Sequence, residues 1–159
     1  MSIKVGDKLP EANFMTTGAD GPEPVTTGDV FNGRRVALFA VPGAFTPTCS
    51  AKHLPGFKAK AAELSSKGID AVACTSVNDV FVMGAWAEHS GVGGIRMLAD
   101  GNGDFAKAVG LVMDATGFGM GQRSQRYSMV VNDGVVEQLN IEESGEFKVS
   151  SADYMLERL

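Results

Sequence analysis

The chain has 159 residues, 44% hydrophobic and 21% charged, with a formal net charge of −5. That length holds one domain with a real core, and an acidic balance with no basic cluster beyond Arg34-Arg35 leaves no footprint for nucleic acid or an anionic membrane. No apolar run approaches the ~20 residues that span a bilayer, and the N-terminus lacks the apolar core of a secretory signal, so a complete cytoplasmic protein with a single domain over residues 1–159 is expected.

Thr16 to Pro24 (TTGADGPEP) is rich in turn formers and precedes a short strand candidate at Val25-Thr26-Thr27. Val36 to Val41 (VALFAV) is a continuous apolar run stopped by Pro42-Gly43, the pattern of a strand buried on both faces. From Ser50 to Lys67 the period changes. Ala51, Leu54, Phe57, Ala61 and Leu64 recur every three or four residues, which predicts an amphipathic helix that tolerates Pro55 near its start and ends at Gly68. Ile69 to Cys74 reads as a second buried strand, and Asp79 to His89 as a helix capped by Asn78 or Asp79. Ile95 to Ala99 is a short strand and Asp104 to Val109 a short helix. After a glycine-rich loop, Thr116 to Gln122, the segments Tyr127–Val131 and Val135–Ile141 flank Asn132-Asp133-Gly134, a strong hairpin signal. Ser151 to Leu159 closes the chain as a helix, with Ser150, Ser151 or Asp153 as its cap. This order describes an α/β domain, a mixed central sheet flanked by helices, arranged as in the thioredoxin-like fold with an N-terminal extension.

Two cysteines, Cys49 and Cys74, cannot build a disulfide framework, and their separation fits neither a Cys-x-x-Cys pair nor a zinc knuckle. With two histidines added there is still no metal-ligand spacing, and no cofactor is expected. Gly117, Gly119 and Gly121 do not open a helix as phosphate-binding loops do. Both cysteines are expected at the carboxyl ends of parallel strands, where active residues gather. For each, the choice lies between packing and chemistry.

Cys49 carries the stronger case for chemistry. It follows a buried strand and falls in the first turn of a helix, where unpaired N–H groups favour a thiolate. Pro42 and Pro47 stiffen the approach, and Thr46 places a hydroxyl nearby. Charge alone does not make a thiolate fast, because nucleophilicity falls with basicity. The Thr46 hydroxyl, the Cys49 N–H and a fixed guanidinium can supply the rest by gripping the oxygens of a peroxide.

Pro42, Thr46 and Cys49 form Pro-x-x-x-Thr-x-x-Cys, which resembles the peroxiredoxin active-site pattern. The surrounding PGAFTPTCSAKHLPGF, with VNDVFVM (77–83) and RYSMVVNDG (126–134), looks like the peroxiredoxin-5, or type II, branch, and the resemblance covers nearly the whole chain. It implies a thiol peroxidase that reduces hydrogen peroxide and alkyl hydroperoxides through a sulfenic acid at Cys49. It also implies that Pro42 shields the thiolate and that Thr46 and an arginine activate the peroxide. That arginine aligns with Arg126, Arg123 being the competing candidate in the same loop. His53, one helical turn after Cys49, has a counterpart in the family and is expected to support the loop. His89 reads as structural.

The resemblance also bears on recycling. Branch members that resolve through a cysteine near the C-terminus have no match here, since residues 147–151 read Phe-Lys-Val-Ser-Ser. Leu54 stands where a bacterioferritin-comigratory type would resolve. Cys74 occupies the position used by enzymes resembling the plant type II group, so it is a possible resolving thiol, with core packing the alternative. If it is inert, glutathione with glutaredoxin attacks the sulfenic acid directly; thioredoxin is the other expected reductant. A homodimer is expected, with Phe45, Phe81, Phe118 and Met120 as loop-placed contacts. A redox sensor that relays oxidation by disulfide exchange is the alternative to an enzyme.

Overall fold

The structure is a computed structural model that describes residues 2–159. Its frame is a seven-stranded mixed sheet in the order β2 (Gly21–Thr26), β1 (Asn13–Gly18), β5 (Arg96–Ala99), β4 (Ala71–Ser76), β3 (Arg35–Ala40), β8 (Tyr127–Asn132) and β9 (Val135–Ile141). The centre is β3, parallel to β4, which is parallel to β5. On the other side of β3, β8 runs antiparallel and turns back into β9. Asp133 and Gly134, with φ of 48° and 82°, make the two-residue turn that the hairpin signal implied.

Val36 to Ala40 have no solvent exposure, as a run buried on both faces requires. On one face, Ala37, Phe39, Cys74 and Met97 pack beneath α2 (Leu54–Ser66), α3 (Val80–Ser90) and α5 (Ala152–Leu156). On the other, Val36, Leu38, Leu98 and Met129 meet α1 (Thr27–Phe31), α4 (Asp104–Val109) and the N-terminal segment. Helix α2 is seated by Leu54, Phe57 and Leu64, and the Phe57 ring stacks on Phe39 of β3 at 4.3 Å between centroids. Truncating a buried Phe of this kind costs ~3–5 kcal/mol.

Four elements differ from expectation. The turn-rich stretch Thr16–Pro24 is a hairpin of β1 (Asn13–Gly18) and β2 (Gly21–Thr26). Two prolines hid β2, but it is the sheet's edge, where proline is tolerated. Thr27 belongs to α1 instead of a strand, because Thr26 and Asp29 form a capping box. Strand β4 runs on to Ser76, so Cys74 lies inside it and not at its carboxyl end. The hydroxyls of its last two residues are satisfied internally, Thr75 donating to the Leu98 carbonyl at 2.9 Å and Ser76 to the Asn78 side-chain oxygen at 2.6 Å. Finally, the glycine-rich loop is enclosed by a small ribbon of β6 (Val112–Asp114) and β7 (Gln122–Ser124), too short to leave a periodic signal.

Candidate active site

The segment after β3 leaves the sheet through Pro42 and closes a turn, the Thr46 N–H donating to the Gly43 carbonyl at 3.3 Å. Phe45 lies within this turn at φ 65°, a left-handed conformation that costs a non-glycine residue of order 1–3 kcal/mol. Gly43 is needed for close approach: a Cβ there would sit 3.0 Å from the Thr46 methyl and 3.2 Å from the Met120 methyl. The turn is anchored from outside by Asn78, whose side-chain oxygen accepts from the Ala44 N–H at 3.0 Å. Asn78 is thus a tie to the loop, and Asp79 is the cap of α3, accepting from Val82 N–H at 2.8 Å.

Cys49 opens one turn of π-helix, Cys49–His53, which runs directly into α2. Such turns are rare and cluster at functional sites. The sulfur is fully buried. Thr46 Oγ1 lies 2.8 Å from Cys49 Sγ and 2.7 Å from the Gly43 carbonyl oxygen. A hydroxyl has one proton, so in the thiol form S–H donates to Oγ1 while the hydroxyl donates to Gly43. In the thiolate form the hydroxyl can turn to the sulfur.

Arg126 arrives from the other direction, one residue before β8. One of its guanidinium nitrogens donates to Cys49 Sγ at 3.0 Å and the other to His53 Nδ1 at 2.9 Å. His53 Nε2 donates to the Ser150 carbonyl at 2.9 Å. A carbonyl only accepts, so these two bonds define the neutral tautomer with its proton on Nε2. The ring is fully buried among Phe39, Phe57 and Phe147. Burial, and then the Arg126 charge, hold its pKa down at about 3.

Arg123 does different work. It donates to the Met120 carbonyl at 2.9 Å and the Val77 carbonyl at 3.0 Å, tying the glycine-rich loop to the turn before α3. Cys74 stays on the same face of the sheet as Cys49, fully buried and paired in register with Phe39 and Met97. Burial pushes its thiol pKa well up, and the Cys49 charge adds to this while Arg126 opposes it. His89 is exposed at the end of α3, its ring 5.7 Å from that of Phe45. Among the described residues, no group of His, Cys, Asp and Glu is placed to hold a metal.

A cleft of about 440 Å³ opens beside the site at Pro42, Thr48 and Arg126, with Val112, Met113 and Phe118 as its apolar wall. A larger groove of about 690 Å³, between α3 and the β1–β2 hairpin, holds none of the site residues. Phe81 lines that groove, on α3 instead of a loop; Phe118 stands exposed on the cleft wall, and Phe45 stands exposed beside Trp86 and His89 of α3. Sequence reasoning passed over Glu142, which lines the cleft, and Phe147 and Ser150, which pack against and hydrogen-bond His53. Their one trace in the sequence is a glutamate shortly before a Ser-Ser helix cap.

The family model described as Redoxin matches residues 4–156. The chain is 52% identical to the chloroplastic peroxiredoxin-2E-2 of Oryza sativa subsp. japonica, over 99% of its own length and 73% of that protein. It is 44% identical to the hybrid peroxiredoxin hyPrx5 of Haemophilus influenzae, over 100% of its length and 67% of the relative. Among solved structures, reduced Prx3 of Vibrio vulnificus in complex with H2O2 superposes with a TM-score of 0.95 at 48% identity, over 98% of both chains. The chain belongs to the redoxin family, as a thioredoxin-like peroxiredoxin of the type II (peroxiredoxin-5) branch and therefore a thiol-dependent peroxidase.

Proposed function

We propose that Cys49 is the nucleophile of this peroxidase, that Thr46 and Arg126 align and polarise the peroxide, and that Pro42 shields the thiolate. The observation that carries this is the pair of groups aimed at Cys49 Sγ, the Thr46 hydroxyl at 2.8 Å, which can donate once the sulfur is a thiolate, and Arg126 at 3.0 Å. An oxygen entering to meet the sulfur comes within reach of both. The sulfur attacks one peroxide oxygen, the O–O bond breaks, and the other oxygen leaves as an alkoxide or hydroxide that takes up a proton. Cys49 is left as a sulfenic acid. The apolar wall of the cleft suits alkyl hydroperoxides as well as hydrogen peroxide.

For recycling, an external thiol fits best. Glutathione or a thioredoxin-type thiol attacks the sulfenic sulfur, expels water and forms a mixed disulfide; a second thiol, such as that of glutaredoxin, then frees Cys49. The burial of Cys74 and its raised pKa leave little thiolate for an internal attack. Resolution by Cys74 is the second reading, supported by its place on the same face as Cys49. It requires Cys49 to leave Thr46 and Arg126 as the π turn unwinds. Two free cysteines suit a reducing cytoplasm. Exposed Phe45 and Phe118, on the loops around the site, suit a homodimer.

Mass spectrometry after one equivalent of peroxide, without reductant, tests the scheme. The expected product is a sulfenic acid on Cys49 that dimedone traps. A Cys49–Cys74 disulfide would put the second reading in place of the first, and oxidation at neither position would remove both.

A further inference from the structure

Glu142 lies just beyond the end of β9 and outside the Cys49 motif. Its side chain is buried, and one oxygen, Oε2, accepts four hydrogen bonds. The donors are the N–H groups of Lys148 at 2.7 Å, Val149 at 2.8 Å and Ser150 at 2.8 Å, with the Ser150 hydroxyl at 2.7 Å. Burial pushes this carboxyl up, but the Ser150 hydroxyl and the three N–H groups outweigh it and hold the pKa below the ordinary value. Three consecutive N–H groups converging on one oxygen fix the path of residues 148–150. They therefore fix the direction of the Ser150 carbonyl.

That carbonyl accepts from His53 Nε2 at 2.9 Å, which leaves the Nδ1 lone pair to accept from Arg126 at 2.9 Å. The other arm of the guanidinium reaches Cys49 Sγ at 3.0 Å. With the carbonyl displaced, the imidazole proton is free to sit on Nδ1, where it would face an Arg126 N–H donor to donor. We propose that Glu142 is a positioning residue of the peroxidase: by holding the Ser150 carbonyl it selects the Nε2–H tautomer of His53, which aims Arg126 at Cys49 and the incoming peroxide. Glu142 lines the cleft but makes no hydrogen bond to the sulfur; its buried oxygen is spent on residues 148–150. The inference rests on the reading that Arg126 activates the peroxide.

Nitrogen NMR of histidine-labelled, reduced full-length protein tests it first without a mutation. His53 is expected to remain neutral with its proton on Nε2 from pH 5 to 8. A proton on Nδ1, or titration in that window, would overturn the proposal. Glu142→Ala is then expected to mix the two tautomers and to slow Cys49 oxidation by hydrogen peroxide about tenfold in stopped flow, about 1.4 kcal/mol of barrier. Glu142→Gln keeps an acceptor oxygen and is expected to restore the single tautomer. Should Glu142→Ala fail to fold, Glu142→Asp, one methylene too short to reach all three N–H groups, carries the same expectations. A lowered melting temperature with wild-type His53 signals and a rate within about twofold would mean a purely structural role and sink the idea. Arg126→Ala separates the two levels. Full speed in that variant removes the underlying reading, whereas a slow Arg126→Ala beside a fast Glu142→Ala removes the role of Glu142 alone.

Discussion

Cys49 and Cys74 are both fully buried and lie on the same face of the sheet, yet their surroundings differ in kind. Cys49 meets a hydroxyl and a guanidinium, delivered by the loop after β3 and by the residue before β8. Cys74 sits inside β4 between Phe39 and Met97, and its thiol pKa is pushed well up by burial. Burial by itself disfavours the thiolate, and under the proposed function it is the groups aimed at Cys49 that set the two sulfurs apart. Arg123 and Arg126 repeat the contrast three residues apart. One spends its donors on backbone carbonyls and holds a loop, while the other spends them on His53 and Cys49.

The sharpest break of this comparison comes from exchanging each sulfur for oxygen. Cys49→Ser is expected to abolish peroxide consumption with the fold intact, while Cys74→Ser should keep the first oxidation step within about threefold. Stopped-flow oxidation of both variants decides it, and a Cys49→Ser protein with most of the wild-type rate would end the assignment. The Cys74 variant also sharpens the recycling scheme. Unchanged turnover with glutathione and glutaredoxin is expected if the reductant is external. Earlier overoxidation of Cys49 to sulfinic acid would show instead that Cys74 had been protecting it.

The arginines come next. Removing an activating donor costs ~3 kcal/mol or more, so Arg126→Ala should slow oxidation ~100-fold, and Arg123→Ala much less. A larger defect in the Arg123 variant would reverse their roles.

A smaller effect appears as pH dependence. Unfolded His53 titrates near its ordinary 6.5, whereas in the folded protein burial and Arg126 lower it to about 3. Between these values the unfolded chain binds a proton that the folded one refuses, so stability falls as pH drops. From pH 7 to pH 5 the loss is about 2 kcal/mol, and it is absent above pH 6.5. Glu142 pushes in the same direction, but only below the ordinary carboxyl value of 4.5, while Asp100, whose carboxyl burial pushes up, acts the opposite way. The histidine's part of the slope between pH 7 and 5 is therefore read as the difference from a His53→Asn variant in urea melts. His53→Asn should flatten that slope; an unchanged slope would mean that other groups cause it.

The smallest change concerns Tyr127, next to Arg126 in sequence but facing the opposite side of the sheet. Its hydroxyl is buried without a hydrogen-bond partner among the described residues. Tyr127→Phe removes an unsatisfied group and should leave the melting temperature unchanged or raise it, by ~1 kcal/mol at most in stability. A clear loss of stability would mean that the hydroxyl finds a partner such as water.

Much of the molecule was legible in one dimension. The run VALFAV, the three-four spacing of Leu54, Phe57, Ala61 and Leu64, and the Asn132-Asp133-Gly134 turn each place an element, because burial periodicity and backbone preference act locally. The Pro42–Thr46–Cys49 spacing was equally legible, since all three lie on one loop whose geometry is set by its own turn. The β1–β2 hairpin was not. Its prolines are permitted by the strand's place at the sheet edge, and an edge exists only once the sheet is assembled.

The same division runs through the site. The sequence by itself singled out Cys49, the helical turn it opens and the threonine beside it, because these need only neighbours within a few residues. Only the tertiary structure decided that Arg126 and not Arg123 reaches the sulfur, that His53 is buried and neutral, and that Cys74 sits within a strand. It also brought Glu142 to the cleft and Ser150 to His53, though they lie roughly ninety to one hundred residues from Cys49 in the chain. Hydrogen-bond reach is about 3 Å and depends on direction. No pattern along the chain encodes it until the sheet has set the angle at which β8, the loop after β9 and the Cys49 turn meet.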